Sequence, residues 1–164
     1  MNILLSETEQ NLLVLLEELT KHHDWIELPV LAEKLNFSTE ELQEHLLKLE
    51  QLFPNLLLQL TKEGIQLQFE ARNSLDPRIA IFEQSKTYSF LNRLFFKEGQ
   101  SLDQIGQELM IGCEQVQEII QHLNTKLPQH YGISIQLSPL VMEGTEENIR
   151  AFYLDYFSQS YSFL

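Results

Sequence analysis

Cations are scarce in this chain. Eleven lysines and arginines face 24 aspartates and glutamates, a formal net charge of −13 over 164 residues. DNA-binding domains normally carry a basic field, because phosphate neutralisation supplies much of their affinity. This chain lacks such a field on average, which argues against the easy form of nucleic-acid binding. The deficit is uneven: through Glu70 there are 13 acids against 4 bases, and beyond it 11 against 7. Cysteine is almost missing too. Cys113 stands alone, so an intrachain disulfide is excluded and a reducing compartment is suited. Long apolar runs are absent: Leu12 to Leu16 (LLVLL) is the longest and far short of the ~20 residues a bilayer span needs. No basic stretch precedes the apolar residues at the N-terminus, so a secretory signal is not expected. A cytoplasmic protein without membrane partners is the expectation. The chain also lacks a nucleophile elbow, a phosphate-binding glycine loop and histidines paired at ligand spacing. We expect no enzyme, no catalytic residue, no metal site and no cofactor.

What is present is a module written twice. Glu27 to Glu50 (ELPVLAEKLNFSTEELQEHLLKLE) aligns without a gap on Ser101 to Asn124 (SLDQIGQELMIGCEQVQEIIQHLN). Leu28/Leu102, Leu35/Leu109, Glu44/Glu118 and Leu49/Leu123 are identical, and Leu31/Ile105, Phe37/Ile111, Leu42/Val116 and Leu46/Ile120 match as apolar positions. A short apolar helix, a turn of three or four residues and a longer helix make a helix-turn-helix pattern.

Each copy is followed by a hairpin pattern. Asn55 to Leu60 and Ile65 to Glu70 alternate around Lys62-Glu63-Gly64, where Gly64 can take the positive φ of a tight turn. Ile133 to Leu137 and Leu140 to Glu143 do the same around Ser138-Pro139. The reading is a mainly α fold with small β-hairpin wings, two winged helix-turn-helix units in tandem. Its expected limits are 1–71 for the first unit, 72–144 for the second with a linker helix, and 145–164 for an aromatic C-terminal helix. Ser6 and Glu9 predict a capped first helix, and Ser38 caps the third. Asp76-Pro77 opens another helical stretch, which the apolar spacing leaves as one helix or two up to Lys97.

The segment Gly144 to Phe152 (GTEENIRAF), a wing closing in G-x-E-x-x-I-R-x-F before an aromatic helix, resembles the Mga/AtxA-type global transcription regulators of Gram-positive bacteria. Ser85-x-x-Tyr88-x-x-Leu91-x-x-Leu94-Phe95 is similar to the helix opening that family's second helix-turn-helix, and Leu123-Asn124 sits where its recognition helix ends. The resemblance implies two winged units that bind promoter DNA, cut from or standing without later phosphotransferase-system regulation domains, in a virulence regulator. It also marks a departure. The family's recognition helices read S-x-x-T-h-x-R-x-I-x-x-L-N; here Glu41 and Glu44 in the first copy, and Gln115 and Glu118 in the second, occupy the Thr and Arg places. A glutamate can accept from cytosine N4, but it repels neighbouring phosphates.

The candidate DNA-binding residues are therefore Gln115, Gln117, Glu118, Gln121, His122 and Lys126 in the second copy, where amides can read adenine, with Asn124 in the same stretch. Thr39, Gln43 and the wing residue Lys62 are the candidates in the first copy. The expected partner is double-stranded promoter DNA, bound weakly. An interaction or dimerisation module of the same fold is the alternative. His22-His23-Asp24 reads as a polar helix end before a metal cluster, and Cys113 as a plain small residue before a reactive thiol. His45 and His122 read as solvated positions before phosphate contacts. The stripe Ile149, Phe152, Tyr153, Tyr156, Phe157, Tyr161 and Phe163 exceeds what one helix needs, so a surface for another domain or a homodimer partner is expected.

Overall fold

The computed structural model describes residues 2–68 and 75–160. Eight α-helices and two separate two-stranded antiparallel sheets occur among them. Contacts divide the chain into two compact units, Glu7–Gln84 and Met1–Ser6 with Ser85–Leu164.

The first unit contains α1 (Glu7–Lys21), α2 (Leu28–Leu35), α3 (Thr39–Leu52), β1 (Leu58–Thr61), β2 (Gly64–Leu67) and α4 (Pro77–Gln84). Leu12, Leu15, Leu16 and Leu19 of α1 are buried where α1 meets α3 and α4. Pro29 sits in the first turn of α2, where its missing N–H costs nothing. Ser38 then starts α3 with a full capping box: its hydroxyl accepts from Glu41 N, and the Glu41 carboxylate accepts from Ser38 N at 2.7 Å. The hairpin pairs Thr61 with Gly64 around Lys62-Glu63. Gly64 has φ +126°, and a side chain there would run into the carbonyl of Ile26, which bridges to Ile65. Phe69 and Glu70, read as the end of this hairpin, lie outside the described residues, as do Tyr161 and Phe163 of the aromatic stripe.

The second unit contains α5 (Lys86–Phe96), α6 (Leu102–Leu109), α7 (Cys113–Tyr131), β3 (Ser134–Leu137), β4 (Leu140–Glu143) and α8 (Glu146–Ser160). The stretch opened by Pro77 is two helices, not one. Asp76 Oδ1 caps the first by accepting from Arg78 N and Ile79 N, and Ser85 caps the second by accepting from Tyr88 N. The two helices belong to different units, since α4 packs on α1 whereas α5 packs on α6 and α7. At the other end, Leu4 and Leu5 are fully buried, and the 3-10 turn Asn2–Leu4 packs on α7. These contacts divide the chain differently from the limits 1–71, 72–144 and 145–164 that patterning alone predicts.

The repeat extends to the backbone. Asn36 (φ 59°) and Met110 (φ 58°) occupy equivalent places and both adopt the left-handed conformation that ends a helix. Phe37 N donates to Ala32 O at 2.9 Å, and Ile111 N to Gly106 O at 2.9 Å. Leu42 and Val116, the matched anchors of the two longer helices, are both fully buried. Each contributes about 1.5–3 kcal/mol of hydrophobic stabilisation. Both helix-turn-helix registers follow from the apolar spacing.

Candidate nucleic-acid interface

The helix after the second turn, α7, has a buried side and an exposed side set by its sequence. Val116, Ile120, Leu123 and Leu127 point into the unit. Gln117, Glu118 and Gln121, three of the candidate contact residues, lie on the solvent face together with Glu114 and Thr125. Gln115 is exposed as well, with its Oε1 accepting from Gly112 N at 3.3 Å as part of the helix cap. Its amide NH2 remains the group it can offer a base. His122 and Lys126 are half-buried along one edge of the helix, and His122 Nε2 is enclosed without a hydrogen bond among the described residues.

Thr39, Gln43 and Lys62 belong to the first unit, and all three are exposed. Thr39 and Gln43 share the outer face of α3 with Glu40, Glu41 and Glu44. The Glu41 carboxyl is held below its ordinary pKa chiefly by the Ser38 N–H it accepts, so it stays charged on that face. Lys62 sits at the tip of the β1–β2 wing. The tip of the other wing, at Ser138-Pro139, carries no cation, and Gln136 Nε2 donates there to Ser138 O at 3.4 Å.

Asn124 does not face outward with the glutamines. Its Nδ2 donates to Ile135 O at 3.0 Å and its Oδ1 accepts from Ile135 N at 2.8 Å. The side chain thus pairs with strand β3 as a neighbouring strand would, tying the wing to α7. No local signal marks such a role, because its partner lies eleven residues away in a different element. His45 also departs from expectation. It is 7% exposed, edge-on to Phe37 at 4.9 Å, and burial lowers its pKa. It is a packing residue of α3 and presents no phosphate contact.

Other chemical candidates resolve into structural roles. Cys113 Sγ donates to Asp103 Oδ1 at 2.6 Å, and this bond raises the thiol pKa, against the lowering that a helix N-terminus favours. Glu18, 8% exposed, accepts from Lys34 Nζ at 2.5 Å and lies 2.6 Å from His22 Nε2, so the polar end of α1 is an ion cluster bridging to α2. No group of metal-ligating side chains occurs among the described residues, and no described helix is long and apolar enough to cross a membrane.

Two family models match this chain. Residues 76–157 match the Mga helix-turn-helix domain, and residues 6–65 match the helix-turn-helix domain of the M protein trans-acting positive regulator. A relative from Streptococcus pneumoniae serotype 4, named "Putative trans-acting regulator", is 31% identical over 169 residues. That match covers all of this chain and 34% of the relative, so the chain spans about a third of the relative's length. Two family-matched helix-turn-helix modules, each with the turn geometry and wing described above, lead to one assignment: the chain belongs to the Mga family of helix-turn-helix regulators.

Proposed function

We propose that this chain contacts promoter DNA as the DNA-binding region of an Mga-type transcription regulator, with α7 as its reading helix. The observation that carries the reading is the solvent face of α7. Gln117 and Gln121 stand free on a helix whose opposite side is locked into the unit, the arrangement by which a recognition helix enters a major groove. Each amide can pair bidentately with adenine N6 and N7, and Glu118 can accept from cytosine N4. The wings at Lys62 and Ser138 lie against the backbone in this reading. Few base readers are available, so the shape and bendability of the site carry much of the selection. A bacterial regulator of this kind works in the cytoplasm and performs no catalysis.

Affinity is weak at physiological salt, since the −13 charge opposes the phosphates. Gln117→Ala and Gln121→Ala test the placement in a binding selection over randomised duplexes. The expected result is relaxed preference at one base pair for each variant, with about 1–3 kcal/mol of discrimination lost. Unchanged preference in both removes α7 from the bases.

A second reading has its own support. The face of α3 is acidic, and α8 with α5 borders a cleft of about 690 Å³ lined by Phe95, Tyr153, Leu154 and Phe157. Leu154 is 73% exposed there. In this reading the aromatic helix joins two copies of the chain, and the first unit serves as an interaction module with little DNA affinity. Sedimentation velocity across a concentration series decides it: a Leu154→Glu variant that lowers the sedimentation coefficient to the monomer value supports dimerisation, and a monomeric wild type rejects it.

A further inference from the structure

One edge of α7 differs chemically from its outer face. Gln115, Ile119, His122 and Lys126 follow one another at i, i+4, i+7 and i+11, which places them along a single edge of the helix. Beside that edge, between the start of α5 and α7, lies an open cleft of about 360 Å³ whose lining includes Lys86, Thr87, Ile111, Gln115, Glu118 and His122. Lys86 Nζ donates to Leu109 O at 3.1 Å, which uses one of its three donors and fixes the amine at the end of α6.

The pairing of cations in this unit singles out the same edge. Arg93 pairs with Glu108 at 2.5 Å, Lys97 with Glu108 at 3.8 Å, and Arg150 with Glu146. Lys86 and Lys126 have no carboxylate partner among the described residues. The two cations of the second unit left unneutralised are thus those flanking one side of its recognition helix. His122, with its enclosed Nε2, stands in the same row. Glu118 faces the cleft as well and opposes any anion there, which puts the anion on the Lys86 side.

We propose that Lys86, His122 and Lys126 form the phosphate-tracking edge of α7. One backbone strand bordering the major groove passes along this edge, with the Lys86 ammonium on a phosphodiester oxygen at the cleft and Lys126 on another further along. The inference rests on the reading of α7 as the DNA helix and adds its orientation. The strand lies on the α5 side, and Gln117 and Gln121 are left over the bases. Lys86, which no recognition-helix motif contains, becomes an anchoring residue.

Lysine acetylation footprinting of the full chain, read by mass spectrometry, tests this with the wild-type protein at low salt. The probes are a mixed-sequence DNA duplex, inorganic phosphate at matched ionic strength, and buffer alone. The expected result is that the duplex protects Lys86 and Lys126 several-fold while Lys97 is unaffected, and that inorganic phosphate protects neither. Protection of Lys126 without Lys86 overturns this edge while leaving α7 at the DNA. Protection of neither overturns both the edge and the DNA reading of α7. Equal protection of Lys86 by inorganic phosphate overturns the assignment to DNA and leaves a small-anion site. As a second measurement, Lys86→Gln should lower affinity uniformly across sequences and reduce the slope of log K against log[salt] by about 0.9, the share of one phosphate. Lys86→Arg should restore both, and an unchanged slope in Lys86→Gln contradicts the contact even if the variant is less stable.

Discussion

At the scale of single residues, α7 assigns neighbouring polar side chains opposite tasks. Gln121 and Asn124 are three positions apart, yet Gln121 is exposed and Asn124 is spent on the backbone of Ile135. Asn124→Ala should cost about 1–3 kcal/mol, because the Ile135 N–H and C=O lose their partners in a half-buried setting. Chemical denaturation reads that loss, and no change in midpoint would show the wing to be held by packing alone. Met110 makes a converse case. It adopts φ 58° while 88% exposed, so its side chain gains little packing in return for left-handed strain of about 1–2 kcal/mol. The equivalent Asn36 tolerates that conformation better. Met110→Asn should therefore stabilise the chain by about 0.5–1 kcal/mol, seen as a higher thermal midpoint. A lower midpoint would mean that Met110 packs on something its exposure conceals.

Elements obey simpler rules, and here the sequence is most legible. Apolar spacing places α1, α2, α3, α6 and α7 and their buried faces, while turn residues place both hairpins. It does not reveal where one helical stretch becomes two, because Ile79, Phe82, Tyr88, Leu91 and Leu94 keep an apolar pattern across the break at Ser85. The break is made by the Ser85 hydroxyl capping Tyr88 N, and a mid-stretch serine is an ambiguous sign of that. The candidate site is legible only in part. Exposure of Gln117, Glu118 and Gln121 follows from helical periodicity, but burial of His45 and diversion of Asn124 depend on Phe37 and Ile135 arriving from elsewhere.

Two predictions belong to this scale. Tyr156 joins α8 to α5: it is fully buried, its hydroxyl donates to Tyr88 O at 3.0 Å, and it lies 2.9 Å from the Asn92 amide. Tyr156→Phe should cost about 1–2 kcal/mol in stability, and an unshifted unfolding midpoint would remove that hydroxyl from the account. The joint between α1 and α2 depends on pH instead. The hydrogen bond from Lys34 leads in lowering the pKa of Glu18, with His22 adding to it. A carboxylate with a depressed folded pKa stabilises above its ordinary pKa and loses that contribution as pH falls through the folded value. Stability should therefore decline as pH drops below the ordinary carboxylate range. Glu18→Gln should show a shallower acid decline, and an identical acid profile would dismiss the cluster.

For the whole molecule, the central matter is how so acidic a chain meets DNA. Equivalent surfaces of the two repeats divide the labour. Glu44 and Glu118 occupy the same place in the two repeats, each exposed on the outer face of the longer helix. Among the described residues the second copy has two unpaired lysines beside that helix, Lys86 and Lys126, whereas the first has Lys48 and surrounds Gln43 with Glu40, Glu41 and Glu44. The most direct measurement is a fluorescence-anisotropy titration of duplex DNA with wild type, Glu44→Arg and Glu118→Arg, at two salt concentrations. The expected result is that Glu118→Arg binds roughly ten-fold more tightly or better, by removing a repulsion and adding a phosphate or guanine contact, and that Glu44→Arg changes affinity little. A gain for Glu44→Arg that equals or exceeds that of Glu118→Arg would contradict it and move the DNA to the first unit.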